Sequence, residues 1–336
     1  MFSATESWTD LKEMARESKA REKQYIVLSV DVFKDLGRRM QAMGGTDTFR
    51  YMDIQWKKYP DGTDNIKVQG FEPRNLIAGS DIIFLASFHS NDVTLSQFSV
   101  WVMLLQSFIS SLTIVLPFYP VGTQDRVDEE GRVAAANTYS MLLSSLPSIG
   151  RPIRLMIYDI HALQNRFYFH SSCLPSLHSA IPLLFARLKN TTINAVAFPD
   201  EGAAKRFGKM FTSAGFDVIV CGKVRDGERR IVKINEGDPS NRDIIVVDDL
   251  VQTGGTLYEC GQALKELGAT SVSAFVSHAV FPNASWKSFD KASGGDRAIF
   301  DKILVTNSIP TTQFPPDSTT FEVLDLLPQI LEDLRL

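Results

Sequence analysis

The segment Ile244-Ile-Val-Val-Asp-Asp-Leu-Val-Gln-Thr-Gly-Gly-Thr256 is the richest in chemistry along the chain. Its apolar start reads as a buried strand and its end as a small-residue turn opening a helix. Asp248 and Asp249 leave the strand end, where two carboxylates can accept hydrogen bonds from the 2′- and 3′-hydroxyls of a ribose. Gln252 follows. Thr253, Gly254, Gly255 and Thr256 then offer backbone N–H groups, two hydroxyls and a helix N-terminus to a phosphate. Glycine at 254 and 255 lets the backbone approach the phosphate oxygens with no Cβ in the way. A plain strand-to-helix turn needs only one capping Asp, so the double Asp with Thr-Gly-Gly-Thr points to a sugar phosphate.

Three other places carry suitable side chains. His161 follows an expected strand, Ile153 to Ile160, so it lies at a strand's carboxyl end, where crevices form in α/β sheets. A single histidine there is as well explained by burial against backbone. Asp200 ends the run Ala195-Val-Ala-Phe-Pro-Asp and precedes Gly202 and a helix bearing Lys205 and Arg206. That makes a second anion-friendly turn, or equally an ordinary Asp helix cap. Lys223 and Arg225 alternate on one side of an extended segment, ahead of Asp226-Gly-Glu228 and a return strand at Arg230 to Ile234, which is the pattern of a hairpin flap.

The elements that must position these groups alternate. Strands are expected at Tyr25–Val30, Asp81–Ala86, Leu112–Phe118, Ile153–Ile160, Ile193–Phe198, Asp217–Val220, Ile244–Asp249, Val272–Ser277 and Ile303–Thr306. Helical spacing appears at Leu95–Ser110, Arg132–Ser145, Ala180–Lys189, Gly202–Ala214, Thr256–Leu267 and Phe321–Leu334. Alternation of this kind predicts mainly parallel α/β sheets flanked by helices. At 336 residues the chain has room for two domains. Ser171–Ser179 reads as an interdomain crossing and Ser285–Asp296 as a mobile loop.

Composition narrows the classes. Lys plus Arg total 35 against 39 Asp plus Glu, so no general attraction for nucleic acid or an anionic membrane is expected. Cys173, Cys221 and Cys260 form no CxxC and suggest neither a disulfide framework nor a zinc site. The uncharged stretch Val93–Gln124 includes the apolar run Phe98–Leu116, nearly long enough to span a bilayer. Its internal Gln, Ser and Thr residues and the Thr113-Ile-Val-Leu-Pro-Phe118 run favour a buried helix followed by a buried strand. Acidic residues among the bases of the first 24 residues suit no targeting peptide, so a cytoplasmic location is expected. No Gly-x-Gly and no Gly-x-x-x-x-Gly-Lys occurs, which removes the dinucleotide and P-loop fingerprints.

The loop at Asp248–Thr256 resembles the phosphoribosyl diphosphate loop of type I phosphoribosyltransferases. Further segments choose within that group: Phe118-Tyr-Pro-Val-Gly-Thr-Gln-Asp-Arg126, Tyr158-Asp-Ile-His-Ala-Leu-Gln-Asn-Arg-Phe-Tyr-Phe169, Phe198-Pro-Asp-Glu-Gly-Ala-Ala-Lys-Arg-Phe207, Cys221-Gly-Lys-Val-Arg225 and Thr306-Asn-Ser-Ile-Pro310. In this order they resemble the motifs of ribose-phosphate diphosphokinases, from about Ile26 onward, and most of all the plant-type, phosphate-independent class.

The resemblance implies two tandem phosphoribosyltransferase-like domains. Residues 25–178 would form the nucleotide side and 179–318 the ribose 5-phosphate side, with a charged extension at 1–24 and a helix at 319–336 packing back on the first domain. It implies ATP and ribose 5-phosphate as substrates, Mg²⁺ as cofactor and a homo-oligomer. By the same resemblance His161 lies beside the ATP phosphates and holds metal with Asp200, and with Asp159 as a neighbour or further ligand. Lys205 and Arg206 face sugar or phosphate, and Lys223 and Arg225 close over the diphosphate. Gln252 to Thr256, with Asp248 and Asp249, bind ribose 5-phosphate. Gln124, Asp125, Arg126, Tyr59 and Asp61 are the candidates for ATP contact. The nucleotide side departs from the better-known pattern, with Thr123 in place of an Arg and Tyr59-Pro-Asp-Gly-Thr-Asp64 in place of Phe-x-Asn-x-Glu. These departures leave open a silent regulatory homologue, and a nucleobase phosphoribosyltransferase is the rival enzyme.

Overall fold

The computed structural model describes residues 24–226 and 229–334, and the side chains of all of these except those within 223–231. Most of the expected charged extension therefore lies outside the described residues. Contacts divide the described residues into two compact units that the chain enters more than once: unit 1 holds residues 24–116, 138–156 and 167–175, and unit 2 holds residues 117–137, 157–166 and, among the described residues, 176–334.

Unit 1 is built on a six-stranded sheet. Its strands are β1 (Tyr25–Ser29), β2 (Phe49–Tyr51), β5 (Asp81–Leu85), β6 (Ser111–Leu116), β7 (Ile153–Tyr158) and β8 (Cys173–His178), in the order β2-β1-β5-β6-β7-β8. β1 runs parallel to both β2 and β5, and β5 parallel to β6. The separate antiparallel hairpin β3 (Ile54–Lys58) and β4 (Asp64–Val68) turns at Tyr59–Thr63. The helices are α1 (Lys34–Gly44), α2 (Asn91–Leu105) and α3 (Ala135–Ser144), the last of which begins within unit 2. Val27, Leu28, Ile82, Phe84, Ile114 and Trp101 are fully buried, as expected where a parallel sheet is covered by helices. The long apolar run is shared between α2 and β6, which are separated at Phe108 by a left-handed residue with φ 59°. Among the described residues no helix is long and apolar enough to cross a membrane.

Unit 2 is built on a seven-stranded sheet. It contains β9 (Ala195–Phe198), β10 (Asp217–Asp226), β11 (Arg229–Glu236), β12 (Asp243–Val251), β13 (Ser271–Ala279), β14 (Ile303–Thr306) and β15 (Phe321–Leu324), in the order β11-β10-β9-β12-β13-β14-β15. Neighbouring strands are all parallel except in the hairpin β10–β11. Four helices accompany it: α4 (Ile181–Leu188), α5 (Glu201–Ser213), α6 (Gly255–Glu266) and α7 (Leu327–Leu334). β9 and β12 are neighbours, with Val246 opposite Ala197. The turns leaving their carboxyl ends, at Asp200 and at Asp248, are therefore brought to one edge by topology alone.

Three expectations are corrected or refined. Phe321–Leu334 is not one helix: Phe321–Leu324 is β15, paired with β14, and α7 starts only at Leu327. Pro328 would break a continuous helix but is tolerated in the first turn of α7. Ser171–Ser179 does carry the chain from unit 1 to unit 2, between Pro175 and Ser176, but as the edge strand β8, which accepts Pro175 where a central strand would not. Ser285–Asp296 is anchored in its first half, where Trp286, Phe289 and Asp290 are buried, while residues 291–294 are exposed.

Candidate functional site

The strand-to-helix turn between β12 and α6 forms one wall of the site. Gly254 caps α6 in the left-handed region at φ 76°, which favours glycine. Its crowded side faces inward: a Cβ there would meet the Phe289 ring, with Cε2 at 2.6 Å and Cζ closer still. Gly255 is different, because a Cβ on it would meet nothing within 4 Å. Only Gly255 therefore leaves its space to an approaching ligand, while Gly254 admits the aromatic ring that supports the turn from within. Arg297 donates from NH1 to the Thr253 carbonyl at 3.3 Å, a further support. Gln252 and Thr253 are exposed, and Thr256 is half-buried in the first turn of α6.

The two carboxylates preceding this turn behave differently. Asp248 Oδ1 accepts the Asp249 N–H at 2.9 Å. Burial and the adjacent charge of Asp249, with Asp200 beyond it, push the Asp248 carboxyl well above the usual range. Burial would raise Asp249 too, but the His161 hydrogen bond and the charges of His161 and Arg206 outweigh it and hold Asp249 below its ordinary value. His161 Nδ1 and Asp249 Oδ2 are 2.9 Å apart. That hydrogen bond raises the His161 pKa against the opposing effect of burial.

His161 is carried to Asp249 by a strained chain reversal. Asp159, immediately after β7, adopts φ 37°, and its carboxylate is held on all sides. Ser179 Oγ donates to Oδ1 at 2.7 Å, while the Ala180 N–H and Ser277 Oγ donate to Oδ2 at 2.9 and 2.5 Å. Asp159 is 1% exposed, so it ties the end of β7 to α4 and β13 and presents no oxygen to solvent. Arg206 on α5 completes the arrangement. It donates to the Ile160 carbonyl, and its guanidinium stands 3.7 Å from Asp249 Oδ2 and 3.8 Å from Asp159 Oδ1.

These groups border an open cleft of about 490 Å³, lined among others by Arg126, His161, Asp200, Lys205, Asp248 and Asp249. Asp200 caps α5 by accepting the Ala203 N–H at 2.9 Å through Oδ1. Lys205 pairs with Glu201 at 3.1 Å and is largely in solvent. Arg206 also lines the cleft, with its guanidinium mostly buried against Asp159 and Asp249. Asp125 lies near the rim, accepting from Gln164 at 3.0 Å and pairing with Arg126 at 3.5 Å, and Gln124 is exposed. Tyr59 and Asp61 belong to unit 1, at the tip of the β3–β4 hairpin, where Asp61 accepts the Thr63 N–H and hydroxyl at 2.9 and 2.7 Å. The backbones of Lys223 and Arg225 lie on β10, opposite Val232 and Arg230, and their side chains lie outside the described residues. Ser277 and His278 were not foreseen. His278 is buried, with Nδ1 2.9 Å from Ser308 Oγ and Nε2 2.9 Å from the Tyr158 carbonyl. A Ser-His pair ending an otherwise apolar strand was the available signal.

Among the described residues no group of three or more His, Cys, Asp or Glu side chains is placed to hold a metal unaided. The donor chemistry nevertheless suits Mg²⁺, which takes one or two carboxylates and completes its shell with water and phosphate oxygens. Asp200 has one oxygen bonded within the protein and is exposed at the cleft, beside the mutually repelling Asp248 and Asp249.

A parallel sheet with an acidic strand end and a glycine-capped phosphate turn is the architecture of the phosphoribosyltransferase class. Residues 201–306 match the phosphoribosyl transferase domain family. The chain is 43% identical over 336 residues to ribose-phosphate pyrophosphokinase 4 of Oryza sativa subsp. japonica, covering 96% of this chain and 99% of that one. It is 44% identical over 302 residues to the rice protein named ribose-phosphate pyrophosphokinase 3, chloroplastic, covering 88% and 73%. A solved phosphoribosylpyrophosphate synthetase from Mycobacterium smegmatis superposes with a TM-score of 0.75 at 20% identity over 93% of this chain and 98% of that one, which shows a shared fold. The chain belongs to the ribose-phosphate pyrophosphokinase family, the diphosphokinases of the sequence reading.

Proposed function

We propose that the protein transfers the β,γ-diphosphoryl group of MgATP to the anomeric hydroxyl of ribose 5-phosphate, giving 5-phosphoribosyl 1-diphosphate and AMP. The observation that carries this reading is the cleft that gathers the Asp248–Asp249 pair, His161 and Asp200, directly ahead of the turn that opens α6, in a chain more than 40% identical to named pyrophosphokinases.

In this reading Asp248 and Asp249 accept the sugar's 2′- and 3′-hydroxyls, and Thr253–Thr256 hold its 5-phosphate on the N-terminus of α6. The open face of Gly255 admits the phosphate oxygens. His161, its Nδ1 held by Asp249, is fixed beside the transferring phosphates. Asp200 and, through its free ring nitrogen, His161 would hold the metal, which when bound draws charge off the phosphate oxygens. Asp159, its oxygens already occupied, orients His161 from behind. Lys223 and Arg225 at the end of β10 neutralise charge developing on the oxygen that leaves with AMP. Gln124, Asp125, Arg126, Tyr59 and Asp61 are the proposed nucleotide contacts. Positioning and charge neutralisation supply the acceleration, and no covalent intermediate is involved. Assembly into a homo-oligomer belongs to the same reading and is supported by the exposed Leu95, Phe108 and Phe167 of unit 1; sedimentation checks it.

The test is AMP formation from ATP and ribose 5-phosphate with Mg²⁺, with and without added phosphate, against a sample stripped by EDTA. AMP equal to the ribose 5-phosphate consumed, lost on chelation and restored by Mg²⁺, is expected. Folded protein that binds ribose 5-phosphate yet forms no AMP in either buffer would overturn the reading in favour of a silent homologue.

A further inference from the structure

Two of the three cysteines, distant in sequence, meet in the core of unit 2. Cys221 Sγ on β10 lies 3.2 Å from Cys260 Sγ on α6, neither is in a disulfide, and both are buried. A disulfide requires a sulfur separation of about 2.05 Å, so the pair stands about 1.1 Å short of bonding distance. The local backbone is irregular at this point. The β10–β11 register shifts between Val220 and Cys221, a bulge that re-aims the side chain. The next residue is Gly222, where a Cβ would meet the Asn235 amide group, with Cγ at 2.8 Å. Ile234 of β11, the outermost strand of the sheet, lies opposite Cys221 and packs with Val232 against the core that holds both thiols. Edge strands open at lower free energy than central ones, which gives a reagent its route.

We infer that Cys221 and Cys260 are a redox modification site, a dithiol that is converted by exchange with an external disulfide into an intramolecular disulfide. One thiolate attacks a sulfur of the external disulfide, forming a mixed disulfide and releasing one external thiolate. The second protein thiolate then attacks the mixed disulfide, forming the Cys221–Cys260 bond and releasing the second external thiolate. The protein loses two electrons and two protons, and the external disulfide is reduced to two thiols. The hydrogen bond with Cys260 lowers the Cys221 pKa despite burial, which favours Cys221 as the first nucleophile. Cys173 serves as an internal control, since burial alone pushes its thiol up to about 12.

The two attachment points give the bond a consequence, which rests on the proposed function. Cys221 lies two residues before Lys223 on the strand that carries the flap, and Cys260 lies one turn beyond Thr256 on the helix that opens from the phosphate turn. Closing 1.1 Å between them shifts the root of the flap against the ribose-phosphate cradle. A misplacement of about 1 Å near the chemistry costs up to ~100-fold in rate.

The protein is equilibrated with oxidised and then reduced glutathione, digested without reduction and mapped by mass spectrometry, and AMP formation is measured in parallel. A linked peptide pair joining Cys221 to Cys260, with Cys173 unmodified, and turnover lowered on the order of tenfold and restored by reduced glutathione are expected. Cys260→Ser and Cys260→Ala should keep their reduced activity and lose the response to glutathione, and whichever retains the wild-type unfolding midpoint is used. Absence of the linked pair from folded protein, when the same treatment yields it from unfolded protein, overturns the site. A linked pair with unchanged turnover overturns the coupling. Reduced enzyme that forms no AMP defeats the proposed function instead, while the linked peptide still reports on the site.

Discussion

Gly254→Ala and Gly255→Ala make the same chemical change at adjacent residues and should have opposite consequences. At Gly254 the new methyl group meets two costs. A non-glycine residue in the left-handed region loses about 1–2 kcal/mol, and overpacking against the Phe289 ring adds about 1–3 kcal/mol. The sum, about 2–5 kcal/mol, lowers the unfolding midpoint by roughly 5–15 °C for a unit of this size. Trimming the ring in Gly254→Ala/Phe289→Leu recovers the packing part, so the double variant should be about 1–3 kcal/mol less damaged than the two single changes predict. Gly255 has open space and lies inside the first turn of α6, so alanine there should leave the midpoint within about 2 °C. Its methyl group stands where the phosphate oxygens are proposed to approach, and ribose 5-phosphate affinity should fall at least about tenfold, or 1.4 kcal/mol. Thermal denaturation and titration calorimetry read the two effects. A Gly254→Ala protein of unchanged midpoint, or a Gly255→Ala protein that binds ribose 5-phosphate normally, would refute this division of labour.

The His161–Asp249 pair should give a bounded pH dependence. The raised His161 pKa contributes stability that is complete below about pH 6.5, its ordinary value, and is lost as pH rises through the folded-state pKa. The depressed Asp249 pKa contributes stability present above about pH 4 and lost as pH falls through its folded value. The difference in unfolding free energy between wild type and His161→Gln should therefore be largest between about pH 4 and 6.5 and shrink on both sides, as denaturant titrations across pH will show. Arg206→Met removes the donor to the Ile160 carbonyl and the cation facing Asp159 and Asp249, and should cost about 2–4 kcal/mol by urea unfolding. Lys at 206 should recover little of this, since one ammonium cannot reach all three oxygens. Lys223→Ala should slow AMP formation on the order of 100- to 1,000-fold while leaving ribose 5-phosphate affinity within about threefold, as single-turnover kinetics and calorimetry can separate.

Much of this was legible in the residues because it is local. The β12 turn, from Asp248 to Thr256, announces itself by composition, and a buried apolar strand fixes where it ends. Asp200 and Asp248 were each legible as residues at a strand's carboxyl end, and the β9–β12 pairing then brings those two ends together. What was not legible depends on contacts distant in sequence. Asp159 reads as a possible ligand until Ser179, Ala180 and Ser277 are seen to occupy it. Arg206 sits beside Lys205 on a helix, and only packing decides that Lys205 extends into solvent while Arg206 is held against Asp159 and Asp249 at the cleft wall. The necessity of Gly254 comes from Phe289, 35 residues later. β15 was missed because a four-residue edge strand runs directly into α7 and its apolar residues fall on helical spacing.

The central claim is that attack occurs at the β-phosphorus of ATP by the sugar's own anomeric oxygen. The direct test is turnover of ribose 5-phosphate carrying ¹⁸O at the anomeric position, with products resolved by phosphorus NMR and mass spectrometry. AMP should form with no ADP, and the label should appear in the oxygen joining C1 to the diphosphate. ADP with a monophosphorylated sugar, or loss of the label to solvent, would contradict it.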